Sequence, residues 1–381
     1  MKRIVVLALH LGTGGIENVI ASMSNILTEN YKVKIISTYK VNEIPAFKLN
    51  NNIEIEYLLN CGPNKKELLK AIKHKKIVNI FKQGVKSLKI LFLKRYLMIK
   101  AIKNIDAEFV ISTRIIHNKW LGKYGNKKTI KIAQEHNYHN NNNKYIRKVV
   151  KSVKNIDYFM PTSKELCEFY RTRLINKKTK VVYIQNSLER FSDKVSNLKS
   201  KNILSIGRLS SEKGYVDLIE IYKMVSKIHD DWKLRIVGDG LQREELENKI
   251  KELKLEEKVI LTGFKNKDEL DEIFMDSSIY VMTSYTESFG LVLIEAENYG
   301  IPLLVFDTAR GALEIVEDGK NGFFVKNRSK KEMANKINKL IENYNLRCKI
   351  GAQGRICSET FKKEIVAEKW YKFIESAKKQ I

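Results

Sequence analysis

The sequence predicts an α/β fold with two Rossmann-like domains, each built on a parallel sheet covered by helices. Short apolar runs alternate with longer segments of helical periodicity in both halves of the chain, a pattern typical of parallel strands joined by crossover helices. Glycine-rich turns follow several of the apolar runs, as ligand-binding loops do at the carboxyl ends of such strands. The chain of 381 residues is long enough for two domains of this kind.

The apolar runs mark the predicted strands. They are residues 4–9, 33–37, 109–112, 130–133 and 158–161 in the first half, and 202–206, 233–237, 259–261, 279–282 and 302–305 in the second. The stretch between the halves is polar and lacks strong periodicity. We therefore predict a first domain at residues 1–185, a linker at 186–201, a second domain at 202–358 and a C-terminal helix at 359–381 that crosses back to the first domain. The two domains are expected to face each other across a cleft, with ligand at the carboxyl ends of both sheets.

Composition excludes several classes of protein. The four cysteines have no spacing typical of a metal or redox site, which indicates a reducing compartment and no disulfide framework. The N-terminal apolar run is too short for a secretory signal, and no run of about 20 apolar residues is present to span a membrane. We therefore expect a cytoplasmic protein, with a hydrophobic content of 43% that suits ordinary packed cores.

Positive charge is concentrated in the first half. Residues 1–190 contain 37 Lys and Arg against 13 Asp and Glu, whereas residues 191–381 contain 33 against 31. Such asymmetry predicts an anionic partner for the first domain. Residues 65–103 hold 13 Lys and Arg and one acid, Glu67, with Leu and Ile threaded between them. This is typical of basic amphipathic helices that lie on anionic membranes; the alternative is a helix packed on its own domain with its lysines in solvent.

Residues 286–302 carry the most informative pattern in the chain. A loop with Glu287 precedes a helix that starts near Gly290 and Leu291, and Glu295 falls on the second turn of that helix. Free N–H groups at a helix start suit a diphosphate, and a glycine lets a ligand approach the backbone. The two carboxylates can accept hydrogen bonds from sugar hydroxyls. The alternative is an amphipathic helix with two surface glutamates.

Glycines and cations follow other predicted strands. Arg208 and Lys213, five residues apart, can converge on one diphosphate and offset the charge on a departing nucleoside diphosphate without a metal; a solvated basic loop is the alternative. Glycine turns let the backbone approach a phosphate or a nucleotide, although they are also ordinary turn chemistry. These turn residues are Gly14, Gly15, Gly238 and Gly263, the last preceded by Thr262. The second strand ends without the acidic residue that holds a ribose, which counts against an NAD enzyme.

The order of these motifs resembles the retaining, Leloir-type glycosyltransferases of family 4, which have the GT-B fold. The resemblance covers essentially the whole chain and is strongest from residue 202 to 325. It implies that Arg208 and Lys213 hold the donor diphosphate, that Glu287 binds donor-sugar hydroxyls, and that Glu295 holds the ribose. It also implies that His136, at the end of a first-half strand, contacts the donor sugar, although a lone histidine is more often a packed or surface residue.

The resemblance implies a complete site and a reaction. The catalytic residues are His136, Arg208, Lys213 and Glu287, and the donor-binding residues are Gly14, Gly15, Gly238, Thr262, Gly263, Ser288, Phe289, Gly290, Leu291, Val292 and Glu295. No metal or other cofactor is expected, and no separate protein nucleophile is evident. The implied mechanism is a front-face reaction in which the donor phosphate takes the acceptor proton. The Arg-Gly-Ala sequence at 310–312 departs from the family's glycine-rich pattern and puts donor-sugar contacts in that loop in doubt.

The implied function is transfer of a hexose or N-acetylhexosamine, expected to be UDP-linked, to a lipid-linked or polysaccharide acceptor. The expected pathway is synthesis of a bacterial surface polysaccharide, with the enzyme attached peripherally to the inner face of the cell membrane. A UDP-sugar 2-epimerase shares the fold, but the paired catalytic acids and histidine of that family are not seen. A nucleic-acid-binding protein would fit the charge, but no reading motif is present, so no nucleic-acid partner is expected.

Overall fold

The computed structural model describes residues 2–379 except Asn176 and Glu189. The last two residues of the predicted C-terminal helix, 380 and 381, therefore lie outside the described residues. The chain divides into two compact units. The first unit comprises residues 1–187 together with 366–381, and the second comprises residues 188–365.

The first unit is built on a seven-stranded parallel sheet. Its strands are β1 (Arg3–Ala8), β2 (Lys32–Tyr39), β3 (Glu54–Leu59), β4 (Phe109–Ser112), β5 (Ile130–Glu135), β6 (Tyr158–Pro161) and β7 (Lys180–Val181). Its helices are α1 (Gly15–Leu27), α2 (Lys65–Lys73), α3 (Ile77–Lys103), α4 (Ile115–Tyr124), α5 (Asn143–Ser152) and α6 (Lys164–Leu174). The strand order β3-β2-β1-β4-β5-β6-β7 places β1 inside the sheet, between β2 and β4.

Alternate side chains of β1 pack on opposite faces of the first sheet. Ile4 and Val6 lie in one hydrophobic core, and Val5 and Leu7 lie in the other. A strand buried on both faces reads as a continuous apolar run, which is why the sequence predicts this strand.

The second unit contains a six-stranded parallel sheet in the order β10-β9-β8-β11-β12-β13. Its strands are β8 (Asn202–Ile206), β9 (Lys233–Val237), β10 (Val259–Gly263), β11 (Ile279–Met282), β12 (Leu303–Phe306) and β13 (Gly322–Val325). Its helices are α7 (Tyr215–Val225), α8 (Arg243–Glu252), α9 (Lys267–Met275), α10 (Leu291–Asn298), α11 (Lys330–Glu342) and α12 (Tyr344–Ser358). Short 3-10 helices occupy Ser211–Lys213, Arg310–Glu314, Lys326–Arg328 and Glu359–Phe361.

The last helix, α13 (Lys363–Lys378), returns to the first unit. Its Trp370 and Ile374 are buried in the same hydrophobic core as Ile4. Two Rossmann-like parallel-sheet units and the crossing of the C-terminal helix back to the first of them were both predicted from the sequence. Both predictions are confirmed.

All ten predicted strands are present in the described residues, and where their ends differ they shift by one or two positions. The sequence failed to predict β3, β7 and β13. Strand β3 lies at the sheet edge, where Glu54 and Glu56 pair with the Lys34 Nζ at 2.6 and 2.9 Å. A half-exposed edge strand of this kind lacks the apolar run that marks a central strand. Strands β7 and β13 contain only two and four residues.

Candidate active site

The loop from β8 to α7 carries the predicted phosphate-binding lysine. It turns through Ser211–Lys213 and then Gly214, which has a φ of 68°. A Cβ on Gly214 would lie 2.3 Å from the carbonyl oxygen of Thr283, so glycine is required there. The Thr283 hydroxyl donates to the carbonyl oxygens of Lys213 (3.1 Å) and Gly214 (2.9 Å). The loop that follows β11 therefore fixes the backbone of Lys213.

Lys213 and Glu287 form an ion pair. The Lys213 Nζ lies 2.7 Å from the Glu287 Oε2, and the two side chains are only 22% and 17% exposed. The backbone holds Glu287 in place, because its Oε1 accepts from the Ser288 N–H at 3.2 Å and its carbonyl oxygen accepts from the Gly311 N–H at 2.9 Å. The structure thus brings together two predicted site residues that are 74 positions apart in the sequence.

Arg208, the other predicted phosphate-binding cation, has a different partner. Its guanidinium lies 2.9 Å from the Glu212 Oε1, and its side chain is 74% exposed. The predicted convergence of Arg208 and Lys213 on one diphosphate therefore requires Arg208 to leave Glu212. That exchange is inexpensive, since an exposed ion pair contributes only about 0–1 kcal/mol.

The predicted helix start at Gly290 is present. Gly290 has a φ of 98° and turns the chain into α10, whose first residues Leu291 and Val292 are half-buried. Phe289 is buried and packs edge-on against Phe361, with ring centroids 5.9 Å apart. The N–H groups of the first helical turn have no acceptor within the helix. This buried anchor therefore fixes the direction of a helix N-terminus close to Glu287.

Glu295 lies on the second turn of α10 and is half-buried. The pKa of the Tyr280 phenol is raised well above its usual value, chiefly by burial and then by Tyr215, with smaller effects from Glu295 and Glu287. The negative charges of both glutamates therefore oppose ionisation of the same buried tyrosine of β11. The predicted pair of carboxylates lies in one region of the second unit.

The loop at residues 310–312 packs against the loop that carries Glu287. A Cβ on Gly311 would lie 2.2 Å from the carbonyl carbon of Ser288 and 2.3 Å from the nitrogen of Phe289. Only glycine permits that approach. Ala312 is fully buried beneath it. The Arg-Gly-Ala sequence therefore keeps the one glycine that the backbone contact requires.

Glycines allow the loops after β8, β9 and β10 to pack together. Gly238 has a φ of 132°, and a Cβ on it would lie 2.0 Å from the Gly207 carbonyl oxygen. The Gly238 N–H donates to the carbonyl oxygen of Gly263 at 2.9 Å, and Gly263 has a φ of 77°. Thr262, also predicted as a donor contact, is half-buried beside it. These glycines hold the backbone that precedes Arg208 against its neighbours.

Arg328 holds the loop after β11 in place. The sequence analysis did not predict a role for this arginine. Its guanidinium pairs with Asp217 at 2.5 Å, donates to the carbonyl oxygens of Thr283 and Ser284, and covers the Tyr285 ring at 3.6 Å. Burial raises the pKa of Asp217, but hydrogen bonds from Lys330, Arg328 and Tyr285 outweigh it, so the pKa is lower than usual. No local motif marks such an arginine, because its partners lie 20 to 111 positions away.

A partly buried ionic cluster at the carboxyl edge of the first sheet was also missed. The Arg114 guanidinium lies 2.5 Å from the Glu17 Oε1, and the His10 Nδ1 lies 3.7 Å from the same oxygen. A Cβ on Gly14 would lie 2.3 Å from the other Glu17 oxygen, whereas Gly15 has open space around it. Because Gly14 has no Cβ, it leaves room for the carboxylate of Glu17 in α1. Charged residues just after β1 and β4 were the signal that could have found this cluster.

His136 follows β5 and is 8% exposed. Burial, reinforced by the charge of Arg114, lowers the pKa of His136 to about 3. The imidazole is therefore neutral near pH 7, and its Nε2 has no hydrogen-bond partner among the described residues. The preceding Glu135 is buried too, and burial raises its pKa, although the Asn137 N–H and the Tyr145 hydroxyl donate to it at 2.9 Å. A neutral imidazole can still exchange one hydrogen bond with a ligand.

We expect the protein to lose stability in acid because of two buried histidines. His117 is fully buried, and burial lowers its pKa to about 3, as for His136. Below about pH 6.5 the two histidines are protonated in the unfolded chain but stay neutral in the folded protein. The free energy of unfolding is therefore highest above that pH and decreases toward pH 3. Each histidine contributes a slope of about 1.4 kcal/mol per pH unit. The raised pKa of Glu135 acts in the opposite direction and subtracts from the total effect.

Urea unfolding near pH 7 and near pH 5 measures this slope. The His117→Asn variant should lose less stability between the two pH values than the wild type, whatever its stability at neutral pH. Equal slopes for wild type and His117→Asn would show that His117 is protonated in the folded state.

The comparisons with known proteins relate most of the second unit to a known family. The family described as Glycosyl transferases group 1 matches residues 186–356. These residues are therefore similar to that family. The matched residues include Arg208, Lys213, Glu287 and Glu295. Among the residues that the structure describes, no group of three or more His, Cys, Asp and Glu side chains is placed to hold a metal ion.

Proteins similar to this chain include glycosyltransferases. The N-acetylgalactosamine-N,N'-diacetylbacillosaminyl-diphospho-undecaprenol 4-alpha-N-acetylgalactosaminyltransferase of Campylobacter jejuni is 26% identical over 98% of this chain and 100% of its own. The amylovoran biosynthesis glycosyltransferase AmsD of Erwinia amylovora is 36% identical over 49% of this chain and 51% of its own. The pneumococcal O-GlcNAc transferase GtfA, solved with UDP and GlcNAc, aligns with a TM-score of 0.77 and 16% identity over 98% of this chain and 99% of that chain. The structural likeness shows the GT-B fold, and the family match and relatives support a glycosyltransferase.

Proposed function

We propose that this chain is a retaining, metal-independent glycosyltransferase of family 4 that uses a UDP-linked hexose or N-acetylhexosamine. The observation that carries the proposal is the Lys213–Glu287 ion pair close to the start of α10, inside the matched domain. A cation and a helix N-terminus suit a diphosphate, and a carboxylate suits sugar hydroxyls. The complex of GtfA with UDP and GlcNAc supports the choice of UDP.

In the proposed reaction the bond between the anomeric carbon and the diphosphate oxygen breaks, and an acceptor hydroxyl bonds to the same face of that carbon. The proton of the hydroxyl passes to an oxygen of the departing phosphate, so UDP carries away both the electron pair and the proton. Lys213, Arg208 and the first N–H groups of α10 would stabilise the charge that develops on UDP. No metal or protein nucleophile takes part.

Donor binding is proposed to redistribute the partners of Lys213. Its ammonium would exchange the Glu287 carboxylate for phosphate oxygens, and Glu287 would then accept hydrogen bonds from donor-sugar hydroxyls. Glu295 would accept from the ribose, and the neutral His136 would exchange a hydrogen bond with the donor sugar. The ion pair at 2.7 Å supports this role, because it holds both groups in place before a ligand arrives and so reduces the entropy lost on binding.

The proposed acceptor is lipid-linked or a polysaccharide. The name of the Campylobacter relative describes an acceptor on diphospho-undecaprenol, and the name of AmsD places that protein in amylovoran biosynthesis. These names support a role in synthesis of a bacterial surface polysaccharide. A lipid-linked acceptor also supports peripheral attachment to the inner face of the cell membrane.

The product of transfer tests this function. With a UDP-sugar, a diphospho-undecaprenol-linked acceptor and excess EDTA, we expect a glycoside whose anomeric configuration by NMR matches that of the donor. UDP-GlcNAc without acceptor should not be epimerised. An inverted product, or loss of activity in EDTA that manganese or magnesium restores, would contradict the mechanism. Epimerisation of UDP-GlcNAc alone would support the 2-epimerase instead.

A further inference from the structure

Helix α3 exposes a continuous apolar stripe. Eight of its apolar side chains are between 52% and 81% exposed, and six of them form the stripe: Ile77, Phe81, Val85, Leu88, Phe92 and Tyr96. Their spacing of four, four, three, four and four residues keeps them on one side of a helix. The helix has 27 residues and so extends about 40 Å. No helix in the described part of the chain has the length and apolar character needed to cross a membrane.

The stripe lies away from the protein core. Of the buried side chains of α3, Ile90 falls on the opposite side of the helix, and Met98 and Ile102 lie in its last turns, beyond Tyr96. The neighbouring helix α2 adds two exposed apolar residues, Leu69 and Ile72, which are 53% and 49% exposed. We call the solvent-facing side chains of α2 and α3 the hairpin surface. An apolar surface of this extent on a helix pair marks an interaction site.

The two helices are held together by a polar clasp. The Asn64 side-chain amide donates to the Gln83 carbonyl oxygen at 3.0 Å, and the Ser87 hydroxyl donates to the Asn64 Oδ1 at 2.8 Å. Asn64 is the residue before α2 and is 6% exposed. The clasp fixes α2 against α3, so the hairpin surface is presented as one formed unit.

Cations border the apolar stripe on α3. The helix carries seven Lys and Arg and no Asp or Glu, and none of the seven forms an ion pair with a carboxylate of the described residues. Lys82, Lys86 and Lys89 are exposed and lie along one side of the stripe. Their charge therefore remains available to an anionic partner.

We propose that the hairpin surface docks on an anionic lipid bilayer, with α3 lying in the plane of the interface. The apolar stripe would enter the boundary between headgroups and acyl chains, and Lys82, Lys86 and Lys89 would contact lipid phosphates. A second copy of this chain is a poor occupant, because it would bring the same unpaired cations against these. The inference rests on the proposed function only for the identity of the membrane, since lipid binding itself needs no donor or acceptor.

Sedimentation with vesicles tests the docking. Wild type should bind vesicles of phosphatidylglycerol and phosphatidylcholine in equal parts and bind pure phosphatidylcholine poorly. Changing Lys82, Lys86 and Lys89 to glutamate should weaken binding to the anionic vesicles roughly a hundredfold or more, from about a fivefold contribution per lysine. The triple variant Phe81→Ser, Leu88→Ser, Phe92→Ser should lose the fraction of binding that persists at high salt.

A matched control uses exposed apolar residues of the second unit. Ile228, Leu241 and Ile356 are 64%, 101% and 60% exposed, and changing all three to serine should leave vesicle binding unchanged. Circular dichroism and UDP binding, measured on every variant, should match the wild type and so exclude misfolding. If wild type binds UDP but ignores anionic vesicles at low salt, the docking inference fails and the proposed function stands.

Two further outcomes would overturn the docking inference. One is equal binding of the wild type and the Phe81→Ser, Leu88→Ser, Phe92→Ser variant at high salt, which would exclude insertion of the stripe. The other is a lipid-free dimer of the wild type that the same variant abolishes, which would assign the stripe to a second copy. Vesicle binding without any UDP binding would instead contradict the proposed function and support the docking inference.

Discussion

The Lys213→Ala variant is expected to lose sugar transfer by roughly tenfold to over a hundredfold. The ammonium is mostly buried and lies 2.7 Å from Glu287, and in the proposed reaction it bonds the departing diphosphate. A hydrogen bond to a charged group contributes about 1.5–3 kcal/mol, and each 1.4 kcal/mol is a factor of ten in rate. Steady-state transfer assays on purified wild type and variant measure the ratio.

Two companion variants separate catalysis from stability. Lys213→Ala leaves the half-buried Glu287 without its cation, which can destabilise the loop by itself. The double variant Lys213→Ala, Glu287→Gln removes that charge, so it should recover stability in urea without recovering transfer. Lys251→Ala, at an exposed lysine of α8, should behave as wild type. Full transfer activity in Lys213→Ala would remove Lys213 from the reaction.

The Gly238→Ala variant is expected to lose transfer to a similar extent without any change in a charged group. The new Cβ would lie 2.0 Å from the carbonyl oxygen of Gly207, a distance that real Cβ atoms do not tolerate. The backbone just before Arg208 must therefore move, and a displacement of about 1 Å at a reacting centre can cost about a hundredfold in rate. The φ of 132° adds backbone strain. Transfer kinetics and urea unfolding measure the two effects.

Gly319 supplies the matched control for that substitution. It has a φ of 77°, but no atom lies within 4 Å of the position that a Cβ would take. Gly319→Ala should therefore cost about 1–3 kcal/mol of stability through backbone strain and leave transfer unchanged. Equal transfer rates for the two alanine variants would show that loop packing at Gly238 does not position the site.

The fold followed from the sequence where strands are buried on both faces. Ile4 and Val5 pack into separate cores on the two sides of the first sheet, so β1 reads as an uninterrupted apolar run. Edge strand β3 carries Glu54 and Glu56 on one face, and its alternating pattern was not recognised. The return of α13 was predicted with the GT-B fold that the motifs resemble, and the structure places its Trp370 and Ile374 in the core of the first unit.

The candidate site was predictable where one local segment contains both the turn and the functional group. Gly290 and the start of α10 were predicted on that basis. Contacts between distant segments were not predictable. The Arg328–Asp217 pair and the Arg114–Glu17 pair each join residues about a hundred positions apart, and nothing in either local sequence indicates the partner. Lys213 and Glu287 were both singled out, but their ion pair with each other was found only in the structure.

Titration of UDP into the protein in excess EDTA tests the central claim most directly, because it isolates donor binding from acceptor chemistry. The account predicts that wild type binds UDP without a metal, that Lys213→Ala binds it at least about tenfold more weakly, and that Lys251→Ala binds it as wild type does. Failure of the wild type to bind UDP in EDTA, or equal affinity of wild type and Lys213→Ala, would contradict the assignment of the second unit as a metal-independent nucleotide-sugar site built around Lys213.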